Sequence, residues 1–269
     1  MKIFTLLLTL LVAFAVWVIV TTPSAAPIKG CMRTSIFKVR LCNKNPNYVP
    51  LNQISPIMRS VVIASEDSTF YQNDGFDWSE IHKSFDEDMA ADRIIRGGST
   101  ITQQLAKNVF LNQNRTIIRK IREAILTIQI NALLKKNQIL EKYLNVIEFG
   151  AGIYGIKAAA KYYFNTTPAD LDLLQSAYLT YLIPDPRGFS NTFRLKKLTP
   201  YAKFKILDLC YLMFRMGKIS TDQYELARLE VDLFPWVNLP PMINASASND
   251  QSTVKTSGSQ VGENNSQKN

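Results

Sequence analysis

The chain has 269 residues, of which 46% are hydrophobic, so it is long enough to bury one good core in one or two lobes. Its net charge of +9 and pI near 9.4 indicate an anionic partner, such as phospholipid headgroups, a pyrophosphate or nucleic acid. Aromatic residues do not alternate with the basic ones and the sequence has no nucleic-acid-binding motif, which argues against nucleic acid. A single histidine, His82, and three scattered cysteines exclude a conventional zinc site.

Residues 3–20 form an almost wholly apolar run, interrupted by two threonines. As a helix, these 18 residues would extend roughly 27 Å, enough to span the core of a bilayer. A cleaved signal peptide is the alternative, but its apolar part is typically only about 7–15 residues long. Residues 24–26 offer a small-residue cleavage site, but Pro27 would follow the cut and disfavours it. Residues 1–24 are therefore predicted to be a transmembrane anchor, and Lys2 weakly favours a cytoplasmic N-terminus.

Residues 25–50 are polar and basic, without clear periodicity, and are predicted to be a stalk outside the membrane. A short strand is expected at residues 35–39. Cys31 and Cys42 lie in this stalk and could form a disulfide if the compartment is oxidising, although the sequence leaves the pairing open. Cys210 lies in an apolar helical pattern and is predicted to belong to the core.

Helices are predicted throughout residues 51–243, because capping residues and helix-starting prolines precede apolar runs with helical spacing. The predicted starts are Ser55-Pro56, Asp77, Thr100, Thr116, Asn137, the glycine loop before residues 158–164, Thr167-Pro168, Thr199-Pro200 and Ser220. The apolar face of the helix from Thr116 is predicted to consist of Ile117, Ile121, Ala124, Ile128 and Ala132. Since strand-like alternation is almost absent, the fold class is predicted to be all-α. Residues 244–269 contain two isolated valines and no aromatic residue, which is typical of a disordered tail.

The most polar helical segment lies between residues 93 and 123, with seven Lys/Arg residues and one acid, Glu123. Gly97-Gly98 permit a tight turn before the helix, and Ser99 and Thr100 supply capping oxygens. Four side chains stand in pairs four residues apart and so share one side: Gln103 with Lys107, and Gln104 with Asn108. Amides, a hydroxyl, cations and one carboxylate together suggest a site for a polyanionic, polyhydroxylated ligand. A solvated basic helix pair is the alternative.

The run GGSTITQQLAKN resembles the second signature of the family 51 glycosyltransferases, the peptidoglycan polymerases. The other signatures of that family follow in order: Glu66-Asp67-x-x-Phe70 with Gly75 behind it, Arg119-Lys120-x-x-Glu123, and residues 136–164. The resemblance covers residues 51–189. The single anchor and short length are most similar to the monofunctional biosynthetic peptidoglycan transglycosylases of Gram-negative bacteria.

This resemblance implies a lysozyme-like, bilobal all-α glycosyltransferase domain over residues 51–243. It implies transfer of a lipid-pyrophosphate-linked glycan strand onto the 4-hydroxyl of lipid II, with inversion. Glu66 matches the catalytic general base. Glu123 matches the second essential glutamate, near the donor pyrophosphate, acting either through a divalent cation (Mg²⁺ or Mn²⁺) or by positioning basic side chains. No organic cofactor is implied. The substrate-binding residues carried over are Asp67, Ser99, Gln103, Gln104, Lys107, Asn108 and Arg115.

The local sequence by itself permits plainer interpretations of both glutamates. Glu66 could be an exposed acid at a helix end, or a carboxyl against apolar surface with a raised pKa. Glu123 could form an ordinary helical ion pair with Arg119. The chain also departs from the family pattern, which leaves a weakened enzyme open, although the departures are expected to lie behind the site. They are Asn73, Asn131, Gln175, and Lys203 with Lys205.

The implied partners are lipid II, the growing glycan strand, the membrane and other proteins of wall synthesis or division. The implied location is the bacterial inner membrane, with the catalytic domain in the periplasm. The apolar residues 109–111 would either dip into the bilayer or pack in the core. A lysozyme-like glycan-cleaving enzyme is the nearest rival, but it has no use for a cation cluster. A catalytically silent membrane scaffold is the other, and the intact Glu66 and Glu123 speak against it.

Overall fold

The computed structural model describes residues 2–81, 98–112, 114 and 116–237. This part of the chain is mostly helical, which confirms the predicted fold class. The helices are α1 Lys2–Thr21, α2 Pro56–Glu66, α3 Ile101–Phe110, α4 Ile117–Leu133, α5 Lys136–Val146, α6 Ile156–Phe164, α7 Leu173–Leu182, α8 Pro186–Phe189, α9 Asn191–Arg194, α10 Pro200–Arg215 and α11 Thr221–Glu230. Two antiparallel pairs of short strands complete it: β1 Met32–Arg33 with β2 Arg40–Leu41, and β3 Glu148–Gly150 with β4 Ile153–Tyr154.

Helix α1 is apolar along its length and keeps most of its large side chains exposed. Among the described residues it is the one helix long and apolar enough to cross a membrane, as expected of a single-pass anchor. Its C-terminal end contacts α4. The Arg122 guanidinium donates a hydrogen bond to Thr21 Oγ1 (2.9 Å) and lies 5.7 Å from the centre of the Trp17 ring. The anchor is therefore joined directly to the helix that carries Glu123.

The segment after α1, predicted to be a stalk, lies against the helical body. Ala25 and Ile28 are fully buried, and the Ala25 N–H donates to Gln129 Oε1 on α4 (2.8 Å). Cys31 and Cys42 form a disulfide, with their Cα atoms 4.9 Å apart, so the pairing left open by the sequence is present. A domain boundary near residue 50 stays a prediction.

The expected strand at residues 35–39 is wrong, because these residues form the turn between β1 and β2. Lys38 has φ 55°, a left-handed conformation that a strand cannot contain. The turn packs on the end of α3, where the Ser35 N–H donates to the Val109 carbonyl oxygen (2.8 Å).

Two groups of packed helices form the core. Helix α7 packs on both α2 and α10, while α3 packs on both α4 and α5. All ten residues of α7 are buried, as expected for a helix that is surrounded by protein. Glu66 ends α2 of the first group and Glu123 lies on α4 of the second, so the two glutamates come from different groups.

Most predicted helix starts are confirmed, including those at Pro56, Thr100, Thr116, Pro200 and Ser220. Two helices begin at other residues than predicted, one slightly earlier in the chain and one later. Helix α5 begins at Lys136, before Asn137. Helix α7 begins at Leu173 and not near Thr167, because the Asp172 carboxylate accepts the Gln175 N–H (2.9 Å) and caps the helix there.

The predicted helix after Asp77 is described only at its start. The Asp77 carboxylate accepts the Glu80 N–H (3.0 Å), as an N-cap residue does, and residues 78–81 are helical. The rest of that helix, with His82, lies outside the described residues, as does the predicted tail at 244–269.

The predicted buried face of α4 is wrong. Ile117 and Ile128, which belong to it, are 82% and 60% exposed. The buried residues are instead Glu123, Leu126, Thr127 and Ile130. Helix α4 thus turns a mixed face, which includes its carboxylate, toward α3. The spacing of apolar residues gave the wrong face because it takes no account of buried polar residues. At a functional site, a residue such as Glu123 can be buried although it is polar.

The N-cap residue of α7, Asp172, predicts how the free energy of unfolding depends on pH. Asp172 is 7% exposed, and burial raises its pKa from 3.8 to about 6. The folded chain therefore holds a proton that the unfolded chain loses, so stability falls as pH rises from about 4 to about 6, by about 3 kcal/mol in total. Asp172→Asn keeps the capping oxygen without the charge. We expect it to raise the unfolding temperature at pH 7.5 and to change it little at pH 4.

Thermal unfolding of the detergent-solubilised full chain, followed by circular dichroism, measures this difference. Asp222→Asn is the matched control, because Asp222 is exposed in the first turn of α11. If Asp172→Asn lowers the unfolding temperature at pH 7.5, the buried carboxylate stabilises the fold as an anion, contrary to this account.

Candidate active site

Glu66 is the last residue of α2, whose buried face consists of Ile57, Met58, Val61 and Val62. Its carboxyl is partly buried, and this burial raises its pKa above the usual value. Hydrogen bonds from Gln104 Nε2 to Oε2 (2.8 Å) and from Ser65 Oγ to Oε1 (3.4 Å) oppose that effect, as does the charge of Lys107. A carboxylate with a raised pKa and a neutral hydrogen-bonding partner is suited to accept a proton near neutral pH.

Asp67 follows Glu66 and is buried with both of its oxygens engaged. Oδ2 accepts the N–H of Ile101, the first residue of α3 (3.0 Å), and Oδ1 accepts from Asn73 Nδ2 (2.7 Å). Burial raises the pKa of this carboxyl, while the two hydrogen bonds lower it. Asp67 therefore ties the end of α2 to the start of α3, and its predicted contact with substrate stays a prediction.

The start of α3 is held by a capping box. Thr100 Oγ1 accepts the Gln103 N–H (3.2 Å), and Gln103 Oε1 accepts the Thr100 N–H (2.9 Å). Thr100 Oγ1 also donates to the Gly75 carbonyl oxygen (2.7 Å). Gly75 has φ 105°, and a Cβ there would lie 2.9 Å from the Thr127 methyl group, so this approach requires glycine. Gln103 is buried and acts on the helix start; substrate binding by Gln103 stays a prediction.

Glu123 lies on α4 and is 2% exposed. Its Oε2 accepts from Arg119 Nη1 (2.8 Å) and its Oε1 accepts from Lys120 Nζ (2.5 Å). The ion pair with Arg119 was expected from the helical spacing, and Lys120 adds a second cation. Lys120 Nζ also donates to Ser99 Oγ (3.1 Å). The second glutamate is thus enclosed by positive charge.

Lys107 and Asn108 lie on α3 with their polar groups available. Burial lowers the pKa of the Lys107 ammonium, whereas the charges of Glu123 and Glu66 raise it. Within the part of the chain that the structure describes, neither the Lys107 nor the Asn108 side chain has an ion-pair or hydrogen-bond partner. A partly buried cation between two carboxylates is therefore free to bind an anionic ligand.

A chain of hydrogen bonds joins the two glutamates along the start of α3. Gln104 Nε2 contacts both Glu66 Oε2 and, weakly at 3.5 Å, the carbonyl oxygen of Ser99, whose hydroxyl accepts from Lys120. The structure thus brings together Glu66, Glu123, Ser99, Gln104 and Lys107, and places Asp67 and Gln103 behind them. Arg115 lies outside the described residues. The apolar segment after Asn108 is mostly core, since Val109 and Leu111 are buried.

Comparisons with known proteins show the family to which this chain belongs. The family model described as transglycosylase matches residues 34–207. The chain belongs to the transglycosylase family. This membership confirms the resemblance indicated by the sequence motifs, and with it the lysozyme-like fold.

Three relatives of the transglycosylase family carry the name biosynthetic peptidoglycan transglycosylase. The protein of Chromobacterium violaceum is 45% identical over 144 residues, which cover 54% of this chain and 63% of the relative. The protein of Laribacter hongkongensis is 41% identical over 160 residues, covering 57% of this chain and 70% of the relative. The protein of Methylobacillus flagellatus is 38% identical over 179 residues, covering 65% and 77%. The chain thus spans less than two thirds of the length of the first of these relatives.

Two residues of α5 complete the site and were not predicted as site residues. Tyr143 is fully buried, and its hydroxyl donates to Gln104 Oε1 (2.9 Å). Lys136 Nζ donates to Asn73 Oδ1 (3.0 Å), and its charge lowers the pKa of Asp67. Both belong to the fourth family motif, but only the fold shows which groups they reach.

The departures from the transglycosylase family pattern are placed differently. Asn73 lies directly behind the site, where it bridges Asp67 and Lys136. Gln175 instead belongs to the cap of α7, where its Oε1 accepts the Asp172 N–H (3.2 Å). Replacement at Asn73 therefore touches the site through Asp67, while replacement at Gln175 acts on the core.

The residues at Glu123 do not fit a divalent cation. Both carboxylate oxygens are already bound by Arg119 and Lys120, whose charges repel a further cation. The described residues also contain no group of three or more His, Cys, Asp or Glu side chains suited to a metal ion. The second of the two expected roles for Glu123, positioning basic side chains, matches this geometry.

Proposed function

We propose that this chain is a peptidoglycan glycosyltransferase that polymerises lipid II into glycan strands. The sugar of a lipid-pyrophosphate donor would be transferred to the 4-hydroxyl of a lipid II acceptor, with inversion. The observation that supports this most is the contrast between the two glutamates. Glu66 has a neutral amide as its nearest partner, whereas Glu123 is enclosed by two cations. The unpaired Lys107 ammonium lies between the two glutamates and interacts with the charges of both.

Glu66 would act as the general base. A hydroxyl becomes a good nucleophile only as its proton leaves, and a positioned carboxylate with a raised pKa accepts that proton efficiently. Gln104 occupies Oε2, and the contact of Ser65 with Oε1 is long at 3.4 Å. Oε1 is therefore the oxygen better placed to receive the proton of the acceptor hydroxyl.

The cations around Glu123 would stabilise the leaving group. Departure of a lipid pyrophosphate builds negative charge on its phosphate oxygens, and preplaced cations stabilise that charge without reorganising. Lys107 offers an ammonium that no described carboxylate binds, and Arg119 and Lys120 are held in place by Glu123. Ser99, Gln104, Lys107, Asn108 and Arg115 are proposed to contact the donor.

The anchor and the disulfide support the proposed location of this enzyme. Helix α1 would hold the enzyme in the bacterial inner membrane, close to its lipid-linked substrates. The Cys31–Cys42 disulfide supports a catalytic domain in an oxidising compartment, the periplasm. Lipid II and the growing strand are the proposed ligands, and other proteins of wall synthesis or division the proposed partners.

A glycan-cleaving enzyme fits this geometry less well. Glycoside hydrolysis uses a carboxylic acid, mostly with a second carboxylate that activates water or attacks the sugar. Both oxygens of Glu123 are bound by cations, so it is poorly suited to that second role. The cations near the site also have no task in hydrolysis.

Replacing Glu66 tests the proposed base. Glu66→Gln keeps the shape of the side chain but cannot take the proton, so we expect polymerisation of labelled lipid II to fall at least about a hundredfold. Binding of lipid II should survive. Glu225→Gln, at an exposed position on α11, is the control and should keep the wild-type rate. Polymerisation by Glu66→Gln at the wild-type rate would refute the mechanism.

Replacing Lys107 tests the proposed leaving-group site. Lys107→Ala removes a cation that would meet charge already present on the bound donor, so substrate affinity and turnover should both decline. We expect kcat/KM for lipid II to decrease by about 10- to 100-fold, the range for a charged hydrogen bond. The exposed Lys218 provides the control Lys218→Ala. The opposite outcome is cleavage of glycan strands by the wild-type protein, at a rate that Lys107→Ala leaves unchanged. That result would favour the glycan-cleaving enzyme.

A further inference from the structure

The Tyr143 hydroxyl favours one orientation of the Gln104 amide, because against a reversed amide it could only accept from Nε2, and its own buried proton would have no acceptor among the described residues. The Tyr143 hydroxyl donates to Gln104 Oε1 (2.9 Å), and the same amide donates from Nε2 to Glu66 Oε2 (2.8 Å). Tyr143 is fully buried on α5, and within the described residues its hydroxyl has no other hydrogen-bond partner. Three side chains from α5, α3 and α2 therefore form one line that ends on the proposed base.

The two ends of a glutamine amide have nearly the same shape but opposite hydrogen-bonding character. With Nε2 toward Glu66, the amide donates to the carboxylate and favours its ionised form. With Oε1 toward Glu66, two acceptor oxygens would meet unless the carboxyl were protonated, and a protonated carboxyl is no base. The orientation of Gln104 is therefore relevant to catalysis.

Other contacts hold this orientation poorly. The remaining contact of Gln104 Nε2, to the Ser99 carbonyl oxygen, is 3.5 Å long and weak. The charged groups that face Glu66 are Lys107 on α3 and Asp67 at the end of its own helix. Neither is hydrogen-bonded to the Gln104 side chain in the described structure.

We propose that Tyr143 is a positioning residue for the transfer reaction, because its hydroxyl holds the Gln104 amide with its N–H toward Glu66. The role in catalysis rests on the proposed function. The orientation of the amide and its effect on the Glu66 carboxyl do not, so they can be tested without lipid II.

Tyr143→Phe removes only the hydroxyl and frees the amide to reverse. In the full chain reconstituted in detergent, we expect kcat for lipid II polymerisation at pH 7 to fall at least about tenfold, with KM changed less than about twofold. Part of the lost rate should return at higher pH. The acidic limb of the plot of kcat against pH should shift to higher pH, because Glu66 becomes harder to ionise. A purely structural role would not move that limb.

Tyr163→Phe is the matched control. Tyr163 is also buried, and its hydroxyl donates to the Phe149 carbonyl oxygen (2.7 Å) without contacting Gln104. Loss of that hydroxyl should affect stability about as much and leave the acidic limb in place. An equal shift of the limb in Tyr163→Phe would overturn the proposal.

A double-mutant cycle separates the amide from other effects of Tyr143. Once Gln104→Ala has removed the amide, Tyr143→Phe should have little further effect on kcat, so the two changes should not be additive. Full additivity would mean that Tyr143 acts by another route, and would overturn the proposal.

The carboxyl itself gives a readout that needs no substrate. In protein labelled with ¹³C at glutamate carboxyls, the signal missing from Glu66→Gln identifies Glu66, and its pKa should be higher in Tyr143→Phe than in wild type. An unchanged pKa would overturn the proposal. If wild-type protein polymerises no lipid II but the pKa still rises in Tyr143→Phe, the proposed function fails and the positioning of the carboxyl stands.

Discussion

The buried carboxylate of Asp67 is the contact on which the rest of the site depends. It accepts the N–H of Ile101 at the start of α3 and the amide of Asn73, and these bonds offset the cost of burying it. Because Asp67 directly follows Glu66, the same contact sets the distance between Glu66 at the end of α2 and Gln104 on α3. Hydrogen bonds from Thr100 to the Gly75 carbonyl oxygen and from Lys136 to Asn73 support the same junction.

On either side of the Asp67 contact, the fold places two glutamates in opposite environments. Glu66 lies at the end of an apolar helix and is contacted by an amide, so burial raises its pKa. Glu123 is more deeply buried, but two cations bind it. Separate environments give two residues of the same type separate tasks. The proposed base and the cations proposed to bind the leaving group then lie at either end of one hydrogen-bonded path along the start of α3, which suits a single displacement.

Local sequence patterns predicted much of this structure, and long-range contacts account for what they missed. Capping residues such as Thr100 and Ser220 act within one turn, so the helix starts they predict are confirmed. The prediction of which face of α4 is buried was wrong, because packing on α3 buries the face with Glu123 and not the face richest in isoleucine. Tyr143 was missed because its partner, Gln104, is 39 residues away in the chain. Spacing predicts the helix that carries a polar group, but not which group on another helix it meets.

The anomeric configuration of the new glycosidic bond tests the central claim most directly. One free carboxylate base, with cations around the departing pyrophosphate, predicts a single displacement and hence inversion. Lipid II carrying a ¹³C-labelled donor sugar would be polymerised by the wild-type chain, and the configuration read from the one-bond carbon–hydrogen coupling of the product by NMR. The account predicts a configuration opposite to that of the donor. A retained configuration would mean that a carboxylate attacks the sugar, and the assigned roles of Glu66 and Glu123 would be wrong.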